Sequence, residues 1–245
     1  MGKMIFLSGL IAMGFAGLTA TARALEQDTI ATLHGDLKIT FIGHASLMIS
    51  FGGQIIHVDP MGSLTDYSKL AKADLILITH EHFDHCDPAS LGILRTPKTE
   101  LALTEECAKK VQGGIVMRNG ETKIVRGLKI EAVPAYNITH MRSPGQPFHP
   151  KGQGNGYIVT FGDKRVYIAG DTENTPEMKA LKNIEVAFLP MNLPYTMTPE
   201  MVADAARAFR PKILYPYHLG ETDVSKLMDL LADQKDIEVR VRSMK

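Results

Sequence analysis

The stretch Asp74-Leu75-Ile76-Leu77-Ile78-Thr79-His80-Glu81-His82-Phe83-Asp84-His85 decides the fold. Its first half, residues 74–79, is a continuous run of strand length, the pattern of a strand covered on both faces. Its second half puts three of the nine histidines into six positions. Asp87-Pro88 follows, a cap and a first-turn proline for a helix. The cluster thus falls in a strand-to-helix loop, at the carboxyl end of a buried strand, where polar groups converge. Extended backbone points His80 and His82 the same way, and Asp84 and His85 turn towards a second centre as the helix begins. Imidazole and carboxylate ligands suit Zn²⁺, and Mn²⁺ or Fe²⁺ is admitted by ligand type. The competing reading is a solvated polar loop; four metal-competent side chains at this spacing weigh against it.

Outward from this loop, strands are expected at residues 37–42, 46–51 and 54–59, the last two turning at Gly52-Gly53. The spacing of Leu64, Tyr67, Leu70 and Ala71 predicts a helix over residues 63–73. The second half repeats the logic, with strands at 123–125, 129–133, 157–161, 165–169, 186–189 and 213–216. Helices are expected at 88–94, 105–112, 176–181, 199–209 and 223–233. Thr198-Pro199-Glu200 is a clear start signal for one of them. Two strand-rich halves flanked by helices predict an α/β domain of two sheets packed face to face with helices outside.

The 245 residues are 44% hydrophobic and 22% charged, which excludes collagen-like, low-complexity and disordered classes. With 27 basic and 27 acidic side chains there is no electrostatic case for a nucleic-acid partner or an acidic membrane surface. Lys3, the apolar run that follows it and Ala22-Arg23-Ala24 have the form of a secretory signal peptide over residues 1–24. The run is too short for a comfortable membrane span, and no cysteine follows it for lipid attachment. The expected mature domain is residues 25–245, exported to a bacterial periplasm without a stable membrane anchor. Cys86 and Cys107 are too few for a disulfide framework, and sequence spacing leaves their pairing open.

The segments Gly43-His44-Ala45-Ser46, Val58-Asp59-Pro60, Ala135-Tyr136-Asn137, His149-Pro150-Lys151, Ala169-Gly170-Asp171-Thr172, Tyr195-Thr196-Met197 and Pro216-Tyr217-His218 accompany the His80 cluster in chain order. Together they resemble the metallo-β-lactamase superfamily, in the branch of metal-dependent hydrolases that includes the ascorbate-6-phosphate lactonases. The resemblance covers roughly residues 37–221. It implies a four-layer αββα sandwich with the site along one sheet edge. It implies two divalent metal ions, one held by His80, His82 and a histidine from mid-chain, the other by Asp84, His85 and His218, with Asp171 bridging. His149 matches the His-Pro-Lys element and is favoured as the mid-chain ligand; His140 is the alternative.

Asp59, at a strand end, is a candidate acceptor for a ligand imidazole. His44 is a candidate for contact with substrate or metals. Tyr136, Lys151, Tyr195, Thr196 and Met197 are candidate pocket residues by resemblance and loop position, while His34 and His57 earn no role. The expected function is hydrolysis of an ester, lactone, amide or phosphodiester bond in a small molecule. The nucleophile would be a hydroxide activated by two metals, zinc on ligand type, with Asp84 and Asp171 as the catalytic carboxylates. No Gly-x-Ser-x-Gly elbow competes. The alternatives are an iron-dependent redox member of the same superfamily and a non-catalytic metal-binding protein. Oligomeric state is not readable from the sequence.

Overall fold

The computed structural model describes Met1 and residues 25–244, so the leader expected over residues 1–24 lies, Met1 apart, outside the described residues. The first sheet runs in chain order: β1 (Glu26–Thr32), β2 (Gly35–Gly43), β3 (Ser46–Phe51), β4 (Gln54–Val58), β5 (Leu75–Leu77), β6 (Glu100–Leu103) and β7 (Ile115–Val116). Pairing is antiparallel from β1 to β4 and parallel from β4 to β7. The chain then makes β8 (Thr122–Val125) and β9 (Leu128–Ala135), a separate hairpin of β10 (Met141–Ser143) and β11 (Gln146–Pro147), and β12 (Gly154–Phe161), β13 (Lys164–Ile168), β14 (Val186–Pro190), β15 (Ile213–Tyr217) and β16 (Glu238–Val239). The second sheet is ordered β16-β15-β14-β13-β12-β9-β8, parallel from β13 to β16 and antiparallel elsewhere.

The period-2 alternation of strand side chains explains the layering. In β5, Leu75 and Leu77 enter the core between the sheets while Ile76 faces the outer layer. In β14, Val186 and Phe188 point inward, and Ala187 and Leu189 pack outward. The outer faces are covered by α1 (Pro88–Leu94) and α2 (Glu105–Ala108) on the first sheet, and by α3 (Pro176–Lys179), α4 (Pro199–Phe209) and α5 (Ser225–Leu230) on the second. The four-layer αββα sandwich expected from the sequence is therefore the fold. Strands buried on both faces are why the apolar runs at β5, β14 and β15 are unbroken.

The α1 and α4 boundaries fall where the sequence puts them. Asp87 accepts from the Ala89 amide, Thr198 accepts from the Met201 amide, and a proline opens each helix; such a cap contributes about 1 kcal/mol. The helix expected over residues 63–73 is not formed. Only a single 3₁₀ turn, Tyr67–Lys69, stands there, because Asp66 takes the Ser68 amide and hydroxyl and Leu70 is already extended. Tyr67 in that turn and Leu64 and Leu70 in the loop on either side of it pack on the outer core, which mimics helical spacing. The helices expected at 105–112, 176–181 and 223–233 are each shorter, and β1, β6, β7, β10, β11 and β16 were not anticipated. Among the described residues no helix is long and apolar enough to cross a membrane.

His57, which the sequence left without a role, is wholly buried on β4. Its Nε2 lies 3.0 Å from the Ala71 carbonyl and its Nδ1 has no partner. Burial pushes its imidazole down to about 4, opposed only by that carbonyl. The ordinary value is near 6.5, so the unfolded chain binds the extra proton between pH 6.5 and pH 4, and folded-state stability falls as pH drops through that window. The expected loss is roughly 3 kcal/mol. Urea unfolding across this range, compared with a His57→Leu variant in which this slope is absent, measures it; equal slopes would remove His57 as the cause.

Candidate metal centre

The site lies where both sheets present the carboxyl ends of parallel strands. Beyond β5, the chain turns back through hydrogen bonds from the His85 and Cys86 amides to the His82 carbonyl (3.0 and 2.8 Å), which sets Asp84 and His85 beside His80. The second sheet is stitched to this loop: the Asn155 amide donates to the Thr79 carbonyl (2.9 Å), and Tyr157 Oη donates to the Ile78 carbonyl (2.9 Å). Gly170, at φ 65° and two residues past the end of β13, lies so close to the loop that a Cβ there would be 2.9 Å from Thr79 Cβ. Only glycine lets Asp171 arrive at this point.

Three groups of donors meet there: His80, His82 and His149; His44, Asp84, His85 and His218; and His80, His85 and Asp171, the ligand atoms within each group lying inside 4.8 Å of one another. Asp171 is common ground. Its Oδ2 lies 3.3 Å from His149 Nε2, 3.4 Å from His218 Nε2 and 3.9 Å from His80 Nε2, while its Oδ1 lies 3.4 Å from His85 Nε2. Asp84 Oδ2 stands 3.7 Å from His218 Nε2 and 3.8 Å from His85 Nε2. His80 Nε2 faces His82 Nδ1 at 3.1 Å.

These atoms fit cations and fit little else. His85 Nε2, His218 Nε2 and Asp171 Oδ1 are buried without a hydrogen-bond partner, an expensive state for polar atoms unless an ion completes them. Nitrogen and carboxylate donors are the set that divalent transition metals take.

A surrounding layer of hydrogen bonds aims the imidazoles. Asp59, wholly buried, accepts from the Thr79 amide (2.8 Å), Thr79 Oγ1 (2.6 Å) and His85 Nδ1 (2.9 Å). With its proton given to Asp59, Thr79 Oγ1 accepts from His80 Nδ1 (3.1 Å). His80 Nε2 is thereby left as a lone-pair donor; against the effect of burial, Asp171, Asp59 and Asp84 raise His85 to about 9, so its Nε2 would give up a proton to a bound cation. His149 Nδ1 and its backbone amide both donate to Asn137 Oδ1 (2.7 and 2.8 Å), and the Asn192 side-chain amide meets His218 Nδ1 at 3.2 Å.

The protonation states follow from this crowding. Burial lowers His80 well below its ordinary range, and neighbouring His85 adds to this; burial and His149 also lower His82. Burial disfavours the ionised Asp171, but His218, His85 and His149 outweigh it and hold the carboxyl far below the usual range. Asp84 is likewise ionised, its burial outweighed by His218 and His44.

His149, not His140, reaches the centre. His140 Nδ1 instead faces the Thr196 carbonyl (2.8 Å) and Glu173 Oε1 (2.9 Å). His44, held at φ 51°, brings its Nε2 to 3.0 Å from Asp84 Oδ2. Tyr195 lines the adjoining cavity. Tyr136 and Lys151 stand apart from it: Tyr136 Oη donates to Glu177 Oε2 (2.9 Å) and Lys151 Nζ pairs with Glu177 Oε1 (2.8 Å), so α3 draws both away. Thr196 and Met197 are buried, the hydroxyl donating to the Asn192 carbonyl (3.1 Å) and the thioether packed in the outer core of the second sheet. Cys86 and Cys107 are free buried thiols.

Sequence reasoning missed Asn137, Glu173 and Asn192. Asn137 and Glu173 lie in or beside segments singled out above, Ala-Tyr-Asn and Gly-Asp-Thr, which is the signal that was there to find. Asn137→Ala strips both acceptor contacts from His149 and is expected to weaken metal binding about 10- to 100-fold. Metal titration against a competing chelator measures this, and an unchanged affinity would show that His149 needs no such partner.

An αββα sandwich with histidines and aspartates converging at one sheet edge is a metal-binding architecture by its donor set. The beta-lactamase superfamily domain matches residues 38–218, and the chain belongs to that family, in its metal-dependent hydrolase branch. A UPF0173 metal-dependent hydrolase of Methanopyrus kandleri is 32% identical over 197 residues, covering 75% of this chain and 84% of that one. A crystal structure from Parabacteroides distasonis superposes with TM-score 0.87 at 49% identity, covering 91% of this chain and all of that one. The metallo hydrolase Igni18 of Ignicoccus hospitalis gives TM-score 0.68 at 28% identity, covering 84% and 94%.

Proposed function

We propose that the chain is an exported hydrolase with two divalent metal ions, zinc on the chemistry of the donors, cleaving an ester, lactone, amide or phosphodiester bond of a small molecule. His80, His82 and His149 would hold one ion, Asp84, His85 and His218 the other, with Asp171 shared. The observation that carries this is the place of Asp171, within 3.3–3.9 Å of four imidazole nitrogens drawn from both donor groups. When bound, such ions supply Lewis acidity and a water acidic enough to ionise near neutral pH.

The chain's own residues do the rest. Asp59, Thr79 and Asn137 keep three imidazoles in the ligating tautomer. Asp84 is more open than Asp171, 20% against 4% exposed at the side chain, and is placed to accept a proton at Oδ2 where His44 Nε2 meets it. A cavity of about 480 Å³ opens over Asp84 and His218, a size suited to a small molecule. The near-zero net charge gives no electrostatic case for a nucleic-acid partner, and the leader-like segment supports a periplasmic protein.

The test is metal content per chain measured beside a panel of esters, lactones, amides and phosphodiesters, with and without chelator. Two ions per chain and chelator-sensitive turnover restored by Zn²⁺ are expected. No turnover from fully loaded protein would leave a metal-binding protein, and retained iron with colour and oxygen consumption would point to redox chemistry.

A further inference from the structure

The cavity over the metal centre has a wall that the ligand set does not explain. Phe83, between the ligand candidates His82 and Asp84, is 79% exposed, and it shares the cavity with Phe148, Tyr195 and Arg142. An aromatic ring left in water beside a reactive centre is surface that a bound molecule would cover. Phe148 packs edge-on against Tyr195 with ring centroids 5.0 Å apart, and the Arg142 guanidinium carbon sits 5.7 Å from the centre of the Phe148 ring. A cation and three aromatic rings thus stand around the opening.

Arg142 is distinctive for what it lacks. Arg95, Arg118, Arg126, Arg165, Arg207, Arg210, Arg240 and Arg242 each have a carboxylate or carbonyl partner. Among the described arginines, Arg142 alone has only an aromatic face beneath it. Among the described residues it is also the one Lys or Arg lining this cavity.

Nor is its position a loose accident of the β10–β11 hairpin. Glu173, buried behind the hairpin, accepts from the Ile138, Thr139 and His140 amides (2.9, 2.8 and 2.6 Å) and from Thr139 Oγ1 (2.9 Å). A buried carboxylate spent on three successive backbone amides fixes the root of the arm that carries Arg142. The far end of the arm runs straight into Phe148 and the ligand candidate His149.

We propose that Arg142 selects substrates in which an anionic group, carboxylate or phosphate, is carried on an apolar body. The apolar part lies against Phe83, Phe148 and Tyr195, and the anion meets the planar guanidinium fork away from the bond that is cleaved. This rests on reading the cavity as the substrate site of a hydrolase, and the experiment separates the two.

Equilibrium dissociation constants of 4-phenylbutyrate, a phenylalkyl phosphonate of matched length and neutral 4-phenylbutyramide are measured on metal-loaded wild-type, Arg142→Ala, Arg142→Lys and Arg142→Glu proteins. The bound metals attract anions in all four, so the amide-to-anion ratio of dissociation constants is compared between them. That preference for the anion is expected to fall about 10-fold in Arg142→Ala, further in Arg142→Glu, and less in Arg142→Lys, which keeps the charge but loses the fork. The arm with the larger fall identifies carboxylate or phosphate as the group read. Ratios within two-fold of wild type in both Arg142→Ala and Arg142→Glu overturn the proposal. In parallel, aryl esters with and without a terminal carboxylate are assayed on wild type. Failure to cleave these or any member of the ester, lactone, amide and phosphodiester panel sinks the hydrolase reading, while the binding ratios still decide the role of Arg142.

Discussion

Purified Asp171→Ala protein is expected to remain folded, to lose metal, and to hydrolyse any substrate of the wild type about a thousand-fold more slowly or worse. Among the described residues no other carboxylate lies within 4.0 Å of imidazole nitrogens from both donor groups. Its two oxygens span from His149 and His80 on one side to His85 and His218 on the other, and removing them leaves two clusters of imidazoles facing a gap. The fold should tolerate the change, since Asp171 Oδ1 has no hydrogen-bond partner to orphan and the turn that delivers residue 171 depends on Gly170. Metal analysis and thermal unfolding with and without chelator make the check. Chelator is expected to lower the melting temperature of wild type and to leave that of the variant where it was. Full metal content and full rate in the variant would end the shared-carboxylate picture.

Asp59→Ala is expected to cost roughly 3–5 kcal/mol of stability and about 10- to 100-fold in metal affinity. Three donors lose their acceptor at once, all of them buried: the Thr79 amide, Thr79 Oγ1 and His85 Nδ1. Residue 59 also sits at φ 41°, a backbone region that aspartate and asparagine enter more easily than alanine. Asp59→Asn keeps the shape and the backbone preference with one acceptor oxygen, so it should recover part of the stability and less of the affinity. Urea unfolding of the metal-free proteins isolates the first effect and metal titration the second. A loss under 1 kcal/mol with unaltered affinity would reduce Asp59 to a bystander.

The His80–His85 loop was legible because its ligands are neighbours in sequence and its apolar strand is buried on both faces. The mid-chain histidine was harder. His140 and His149 flank the same hairpin at similar distance from a strand, and what separates them is Glu173, which captures His140 from 33 positions along the chain. No local pattern reports a contact of that kind. Tyr136 and Lys151 were placed near the site by segment, but Glu177 on α3 decides where their polar ends go. β1 escaped notice because Glu26–Thr32 is an edge strand with a single buried side chain, Ile30, and is held by its pairing with β2 rather than by an apolar face. Residues 63–73 misled in the opposite direction, their apolar spacing belonging to a loop laid over the outer core.

The two sheets are each built from one half of the chain, and neither half owns a finished donor set: His80, His82, Asp84 and His85 come from one, His149, Asp171 and His218 from the other. Any ion held by both is therefore a clasp across the sandwich seam, closing only after the halves have met. Tight metal binding then becomes conformational stability, about 2.7 kcal/mol when free metal stands at a hundred times its dissociation constant. A chain that folds in a metal-poor compartment would hold its seam by apolar packing and by the Asn155–Thr79 and Tyr157–Ile78 hydrogen bonds, without that added margin against local opening and proteolysis.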